Sequence, residues 1–141
     1  MRAYPCWEKI GITRNRYFEL LHFCRQYPEW RTEASSLIGT HGQQMDGMPH
    51  GTSVGNPVAS AAERRAGLLA KIELIESCAK DVQNGEWYTA LIQNACMARS
   101  YTMIDPTLLP KSNRQAFYKA RQMFFGLLDA RKTRNEDFGD R

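Results

Sequence analysis

No stretch of this 141-residue chain approaches the roughly 18 uninterrupted apolar residues that a membrane span needs, so neither a transmembrane helix nor a membrane partner is expected. The opening residues, Met1 to Lys9, contain no apolar signal region, which points to the cytoplasm of whichever cell makes the protein. Cysteine is sparse: Cys6, Cys24, Cys78 and Cys96 form no Cys-x-x-Cys pair, and no paired histidines follow at zinc-ligand spacing. A metal site and a disulfide framework are both disfavoured, and reduced thiols are expected. Cys78 and Cys96 fall in apolar, helical stretches, where a free thiol behaves as a small buried hydrophobe. There is no Gly-rich phosphate loop, no Ser/His/Asp spacing and no cofactor motif, so the chain reads as a non-enzyme with no catalytic residue and no cofactor. Glu73 and Glu76 share a helix face, but no His-bearing partner helix would complete a di-metal site. Alternating apolar–polar runs are missing too, which removes β-strands, and no internal repeat is evident.

Net charge is absent from most of the chain and concentrated at one end. Residues 1–110 hold 11 Lys+Arg and 11 Asp+Glu, a balance of zero. Residues 111–141 hold eight basic side chains against four acidic ones, which accounts for the whole excess of +4. A hydrophobic content of 43% with 11% aromatics speaks for a folded chain, because disordered sequences lack that apolar surface.

Helical periodicity organises the rest. Residues 1–12 read as an arm containing Pro5 and Gly11. Thr13 is a suitable N-cap for a helix to about Tyr27, with Tyr17, Leu20, Leu21 and Cys24 on its apolar side. Pro28 breaks it, and Glu29 to about Leu37 forms a second short helix. Residues 38–57 carry five glycines, with Pro49 and Pro57, and read as a flexible linker in which His41 and His50 are solvated. Ser60 to Glu63 is a capping box that opens a helix with Leu68, Leu69, Ile72, Ile75, Ala79 and Val82 on one side. Asn84-Gly85 ends it, Gly85 suiting the left-handed position after a helix. A further helix spans about 86–99, with Trp87, Ala90, Leu91, Asn94 and Met97 or Ala98 along one side. Asp105-Pro106 and Leu109-Pro110 bracket a turn-rich connection. Ser112 to Gln115 is a second capping box, opening the last helix to about Lys132.

That last helix carries the candidate site. Phe117, Ala120, Phe124, Leu127 and Leu128 cluster on one side and must bury. Lys111, Arg114, Gln115, Tyr118, Lys119 and Gln122 cluster on another. Arg, Gln and Asn pair bidentately with guanine or adenine edges in the major groove, while lysines suit phosphates. Ser112 opens a helix whose first amides can themselves face a phosphate. The expected partner is double-stranded DNA, with base readout by Asn113, Arg114, Gln115 and Tyr118 and phosphate contacts from Lys111, Arg114 and Lys119.

The run Leu109-Pro110-x-x-x-Arg114-x-x-Phe117-Tyr118-x-x-Arg121-x-x-Phe124-Phe125-x-x-Leu128 resembles the C-terminal end of small phage transcriptional regulators of the RinA/ArpU type. The stretches from Arg16 to Trp30 and from Arg64 to Glu76 resemble the opening and middle of the same group, in the same order. The resemblance implies a sigma-factor-like helix-turn-helix in which Arg114, Tyr118 and Arg121 lie on or beside the DNA-facing side. It also implies that Tyr101 and Ile104 belong to a short positioning helix before the turn. The expected fold is therefore all-α: an N-terminal helical arm (1–37), a linker (38–57), a small helical domain with a C-terminal helix-turn-helix (58–134) and a disordered tail (135–141).

Two other classes stay open. Tyr4, Trp7, Tyr17, Phe18, Phe23, Tyr27 and Trp30 crowd the N-terminal third, more than one short helix pair can hide. Trp7, Tyr17, Phe18 and Trp30 would then serve a protein interface, either a homodimer contact or a grip on RNA polymerase, as in a helical inhibitor or adaptor. A ring-forming phage DNA-packaging subunit would share the DNA-binding helix and differ in assembly.

Overall fold

A computed structural model describes the backbone of residues 6–43 and 57–139 and the side chains of residues 7–37 and 59–135. It is all-α: α1 (Cys6–Ile10), α2 (Arg14–Arg25), α3 (Tyr27–Gln43), α4 (Pro57–Asp81), α5 (Tyr88–Leu91, continued as a π-helical turn Ile92–Cys96) and α6 (Arg114–Gly139), with no strand among the described residues. The chain divides into two compact units, Met1–Tyr27 with Leu74–Arg141, and Pro28–Glu73. The expected boundaries do not coincide with these. Residues 6–27 of the expected N-terminal arm (1–37) share a unit with the C-terminal helices, because α1 and α2 both pack on α6.

In the Pro28–Glu73 unit, α3 and α4 run antiparallel. Arg64 forms an ion pair with Glu33, Arg65 Nε donates to the Ala34 carbonyl at 3.3 Å, and the Lys71 ammonium lies 5.3 Å over the Trp30 ring. Trp30, Ala34, Leu68 and Ile72 are buried, whereas Leu69, expected inside, is 38% exposed. The capping box at Ser60 is not used: α4 starts at Pro57, whose missing N–H is harmless in a first turn, and Ser60 lies inside the helix. Helix α3 starts at Tyr27 and runs to Gln43, so residues 38–43 of the expected linker are helical; residues 44–56 lie outside the described residues.

In the larger unit, α6 is the central element, with α1, α2, α5 and the 3-10 turn Val82–Gly85 all packed on it. Phe117, Ala120, Phe124, Phe125 and Leu128 are fully buried. Each ring withdraws apolar surface worth about 2–3 kcal/mol. Tyr17, Leu20 and Cys24 of α2 complete this core with Ile75, Cys78, Val82, Trp87 and Leu91. Cys24, Cys78 and Cys96 are buried free thiols. A hydrogen bond with Cys96, reinforced by burial, holds the Cys24 thiol well above its ordinary range, and burial pushes Cys78 up to about 11. Helix α6 continues to Gly139, through most of the segment read as a disordered tail.

The α4–α5 and α5–α6 junctions depart most from the expected periodicity. After α4, Gln83, Asn84 and Gly85 all have positive φ (47°, 63° and 81°), so the chain reverses over three left-handed residues rather than at Gly85 alone. Helix α5 widens into its π turn at Ile92, where the Met97 N–H reaches back to the Ile92 carbonyl at 3.3 Å. This rotates Ile92, Ala95 and Cys96 inwards and leaves Met97 46% exposed, so the expected stripe through Met97 or Ala98 is not the buried one. The helix closes with the Arg99 N–H on the Gln93 carbonyl at 3.0 Å, across Ala98 at φ 59°. An alanine there carries the steric strain that glycine avoids. Ala98→Gly is expected to stabilise the fold by about 1 kcal/mol in urea denaturation, the opposite sign to a glycine placed inside a helix.

Candidate nucleic-acid interface

The start of α6 is built by its cap. Asn113 Oδ1 accepts the N–H groups of Gln115 (2.9 Å) and Ala116 (3.2 Å), so Asn113, not Ser112, is the N-cap, and Arg114 is the first helical residue. That commits the Asn113 carboxamide oxygen and removes the bidentate pairing expected of it. Ser112 is exposed just outside the helix.

Two 3-10 turns, Tyr101–Met103 and Pro106–Leu108, lead into this cap. The short positioning helix implied for Tyr101 and Ile104 is only the first of these turns. Pro106 disfavours a helical residue before it, and Ile104 is extended, buried and anchors the segment. Asp105 Oδ1 accepts from both the N–H and the hydroxyl of Thr107 (3.0 and 2.9 Å), which hold its carboxyl below the ordinary range. Residues 97–113 contain no α-helix, so α6 is not preceded by the compact two-helix turn that a C-terminal helix-turn-helix requires.

Tyr101 nonetheless gives the start of α6 a firm base. Its ring lies 5.2 Å from Phe117 and 6.4 Å from Tyr118, and the Arg114 guanidinium sits 5.1 Å above it. Arg114, Lys111, Gln115 and Lys119 are exposed, while Tyr118 and Gln122 are half-buried. Lys111, Arg114 and Lys119 form no ion pair with any described residue, and no acidic side chain occupies the first turn of α6.

Arg121 is placed differently from the rest of the expected set. Its Nε donates to Asn94 Oδ1 at 2.6 Å and its Nη2 to the Tyr17 hydroxyl at 2.7 Å, with the guanidinium 4.9 Å over Phe125 and 5.6 Å over Tyr17. It therefore faces the protein's own interior. The spacing explains why: Arg121 follows Phe117 by four and precedes Phe124, Phe125 and Leu128 by three, four and seven, all buried. Its partner Asn94, which also donates to the Arg99 carbonyl at 3.0 Å, had no functional signal in the sequence.

Other basic side chains are tied inwards too. Arg16 donates to Asp129 (2.7 Å), Glu19 (3.0 Å) and Thr133 (2.9 Å). Arg25 donates to the Ala95 carbonyl (2.9 Å), Arg131 pairs with Asp81 (2.6 Å), and Lys132 lies 4.9 Å over Phe23. Among the described residues, the cations left outward on the C-terminal segment are Lys111, Arg114 and Lys119 at its beginning and Arg134 near its end.

The aromatics expected to meet a partner are largely used inside. Tyr17 is 6% exposed and lies 5.2 Å from both Trp7 and Phe125; Trp30 is equally buried in the second unit. Phe125 supplies cover that the N-terminal helices lack by themselves. Trp7 and Phe18 are half-buried, 6.2 Å apart.

Comparisons with protein-family models, with curated proteins and with solved structures find no match for this chain.

Arg121→Ala should leave the Tyr17 hydroxyl and Asn94 amide oxygen without their donor and lower unfolding stability by roughly 2–4 kcal/mol in urea melts. Arg114→Ala, at an exposed position, should stay within about 0.5 kcal/mol of the wild type.

Proposed function

We propose that this protein binds duplex DNA, with the exposed start of α6 contacting the phosphate backbone, and that it acts as a transcriptional regulator. The observation that carries the reading is the set of Lys111, Arg114 and Lys119: three outward cations without acidic partners, set at the capped end of the helix most firmly anchored in the fold. Unpaired cations on a rigid element suit a polyanion, because the ordering of the surface precedes binding and condensed counterions are released on contact. Gln115 and Tyr118 lie beside these cations and supply polar edges next to the phosphates.

The resemblance to phage regulators of the RinA/ArpU type favours the same function. The burial of Tyr17 and Trp30 weighs against a protein-binding module that acts through N-terminal aromatics, since those rings are already covered.

Fluorescence anisotropy with a labelled duplex over a salt series tests the proposal. Binding should weaken linearly in log–log form. The triple variant Lys111→Ala/Arg114→Ala/Lys119→Ala should reduce the slope by about 2.7, roughly 0.9 for each lost phosphate contact. Salt-insensitive binding, or a slope unchanged in the folded triple variant, contradicts the reading.

A further inference from the structure

The N-terminal segment contains the tight connection between two helices that the C-terminal end lacks. Helix α1 ends at Ile10, and α2 begins at Arg14 after only Gly11, Ile12 and Thr13. Gly11 has φ +75°, and the Ile12 N–H bonds back to the Trp7 carbonyl at 3.1 Å, a helix termination that needs a left-handed residue. Thr13 then starts the next helix at once, its hydroxyl accepting the Arg16 N–H at 3.0 Å. One residue ends the first helix and another, two positions on, caps the second. A three-residue turn containing glycine is the connection found in DNA-reading helix pairs, where the second helix enters the major groove and the first crosses the backbone.

Both faces of α2 suit that role. Tyr17, Leu20 and Cys24 are buried, and Arg16 is tied to Asp129 and Thr133 of α6, so the inner face is immobilised over its length. Arg14, Asn15, Glu19, His22 and Gln26 are exposed along the outer face, and Phe18 between them is half-buried under the Arg14 guanidinium, 5.0 Å from the ring. Asn15 has no hydrogen-bond partner among the described residues. Arg14 and Asn15 occupy the first turn, the part of such a helix that meets base edges, and they are the side chains that pair bidentately with guanine and adenine. Glu19, the single acid of α2, is paired with Arg16 at 3.0 Å, and Arg16 and Arg25 are held by contacts within the protein. Arg14 is thus the cation that α2 turns outward without an acidic partner among the described residues. On α1, Lys9 is exposed and forms no ion pair with a described residue, as a backbone contact from the first helix requires, although Glu8 beside it offsets its charge.

We infer that α2 is the base-reading helix of this protein, entering the major groove of duplex DNA with Arg14 and Asn15 on base edges, while the start of α6 grips phosphates. This rests on the duplex-binding reading above and goes beyond it by assigning sequence discrimination to a different element.

The test uses the full-length chain. A pool of random-sequence duplexes is enriched on the wild type, and affinity is then compared for the enriched duplex and for the unselected pool at fixed salt. Asn15→Ala should lower affinity for the enriched duplex roughly 5- to 150-fold, the span of one bidentate base contact, and leave binding to the unselected pool unchanged. Arg14→Lys, which keeps the charge and loses the planar fork, should act in the same direction. Lys119→Ala should weaken binding to both duplexes by a similar factor. Circular dichroism confirms that each variant is folded. If both α2 variants retain the wild-type preference while Lys119→Ala weakens both probes, α2 does not read bases and the duplex-binding reading survives. Failure of the wild type to bind any duplex overturns both.

Discussion

The architecture depends on one helix being buried along most of its length with a cation in the middle of the buried face. Phe117, Phe124, Phe125 and Leu128 require α6 to be covered, and the Arg121 guanidinium lies among them. A charge in that position is tolerable only with hydrogen-bonding partners, because desolvation otherwise disfavours it by several kcal/mol. Tyr17 from α2 and Asn94 from the π turn supply them. One side chain thereby ties three elements that are far apart in sequence. The π turn follows the same logic: widening the helix turns Ile92, Ala95 and Cys96 inwards while Asn94 faces Arg121, and the Ala95 carbonyl accepts Arg25.

That constraint separates the cations into two populations. Arg16, Arg121, Arg131 and Lys132 brace α6 against its neighbours through ion pairs, hydrogen bonds or aromatic rings, and Arg25 ties α2 to the π turn. Lys111, Arg114 and Lys119 point outwards from a segment capped by Asn113 and supported on Tyr101. Net charge along the sequence does not distinguish the two groups; only the contacts do. In the proposed duplex contact the start of α6 meets phosphates through the second group, while the first group holds the scaffold rigid.

Much of the fold was legible where the signal is local. Thr13 caps α2 as its sequence context indicates. Tyr17, Leu20 and Cys24 of α2 and Phe117, Ala120, Phe124 and Leu128 of α6 are buried as helical spacing indicates, whereas Leu21 and Leu127 are only half-buried and Phe125 joins the core. The end of α4 near Asn84-Gly85 was legible as well, although the left-handed run extends back to Gln83. The departures arise from long-range partners. Nothing around Tyr17 announces that Phe125 will cover it, so the N-terminal aromatics looked surplus. Nothing around Ile92 announces a π turn whose amide and carbonyl groups meet Arg121 and Arg25. Arg121 is the exception: its distances from Phe117, Phe124, Phe125 and Leu128 mark it as inward-facing by spacing alone. Gly11 followed two residues later by Thr13 was likewise a local signal for a tight interhelical turn.

The proposed division of labour puts phosphate contact at the start of α6 and base contact on α2, both within the unit built around α6. Titration of duplex DNA into isotopically labelled protein, followed by amide and arginine side-chain NMR shifts, tests this most directly. Perturbations should gather in residues 9–15 and 111–119, with the Arg121 Nε–H resonance unmoved because its partners are internal. Shifts centred on residues 28–37 or 59–73, with those two segments silent, would contradict it.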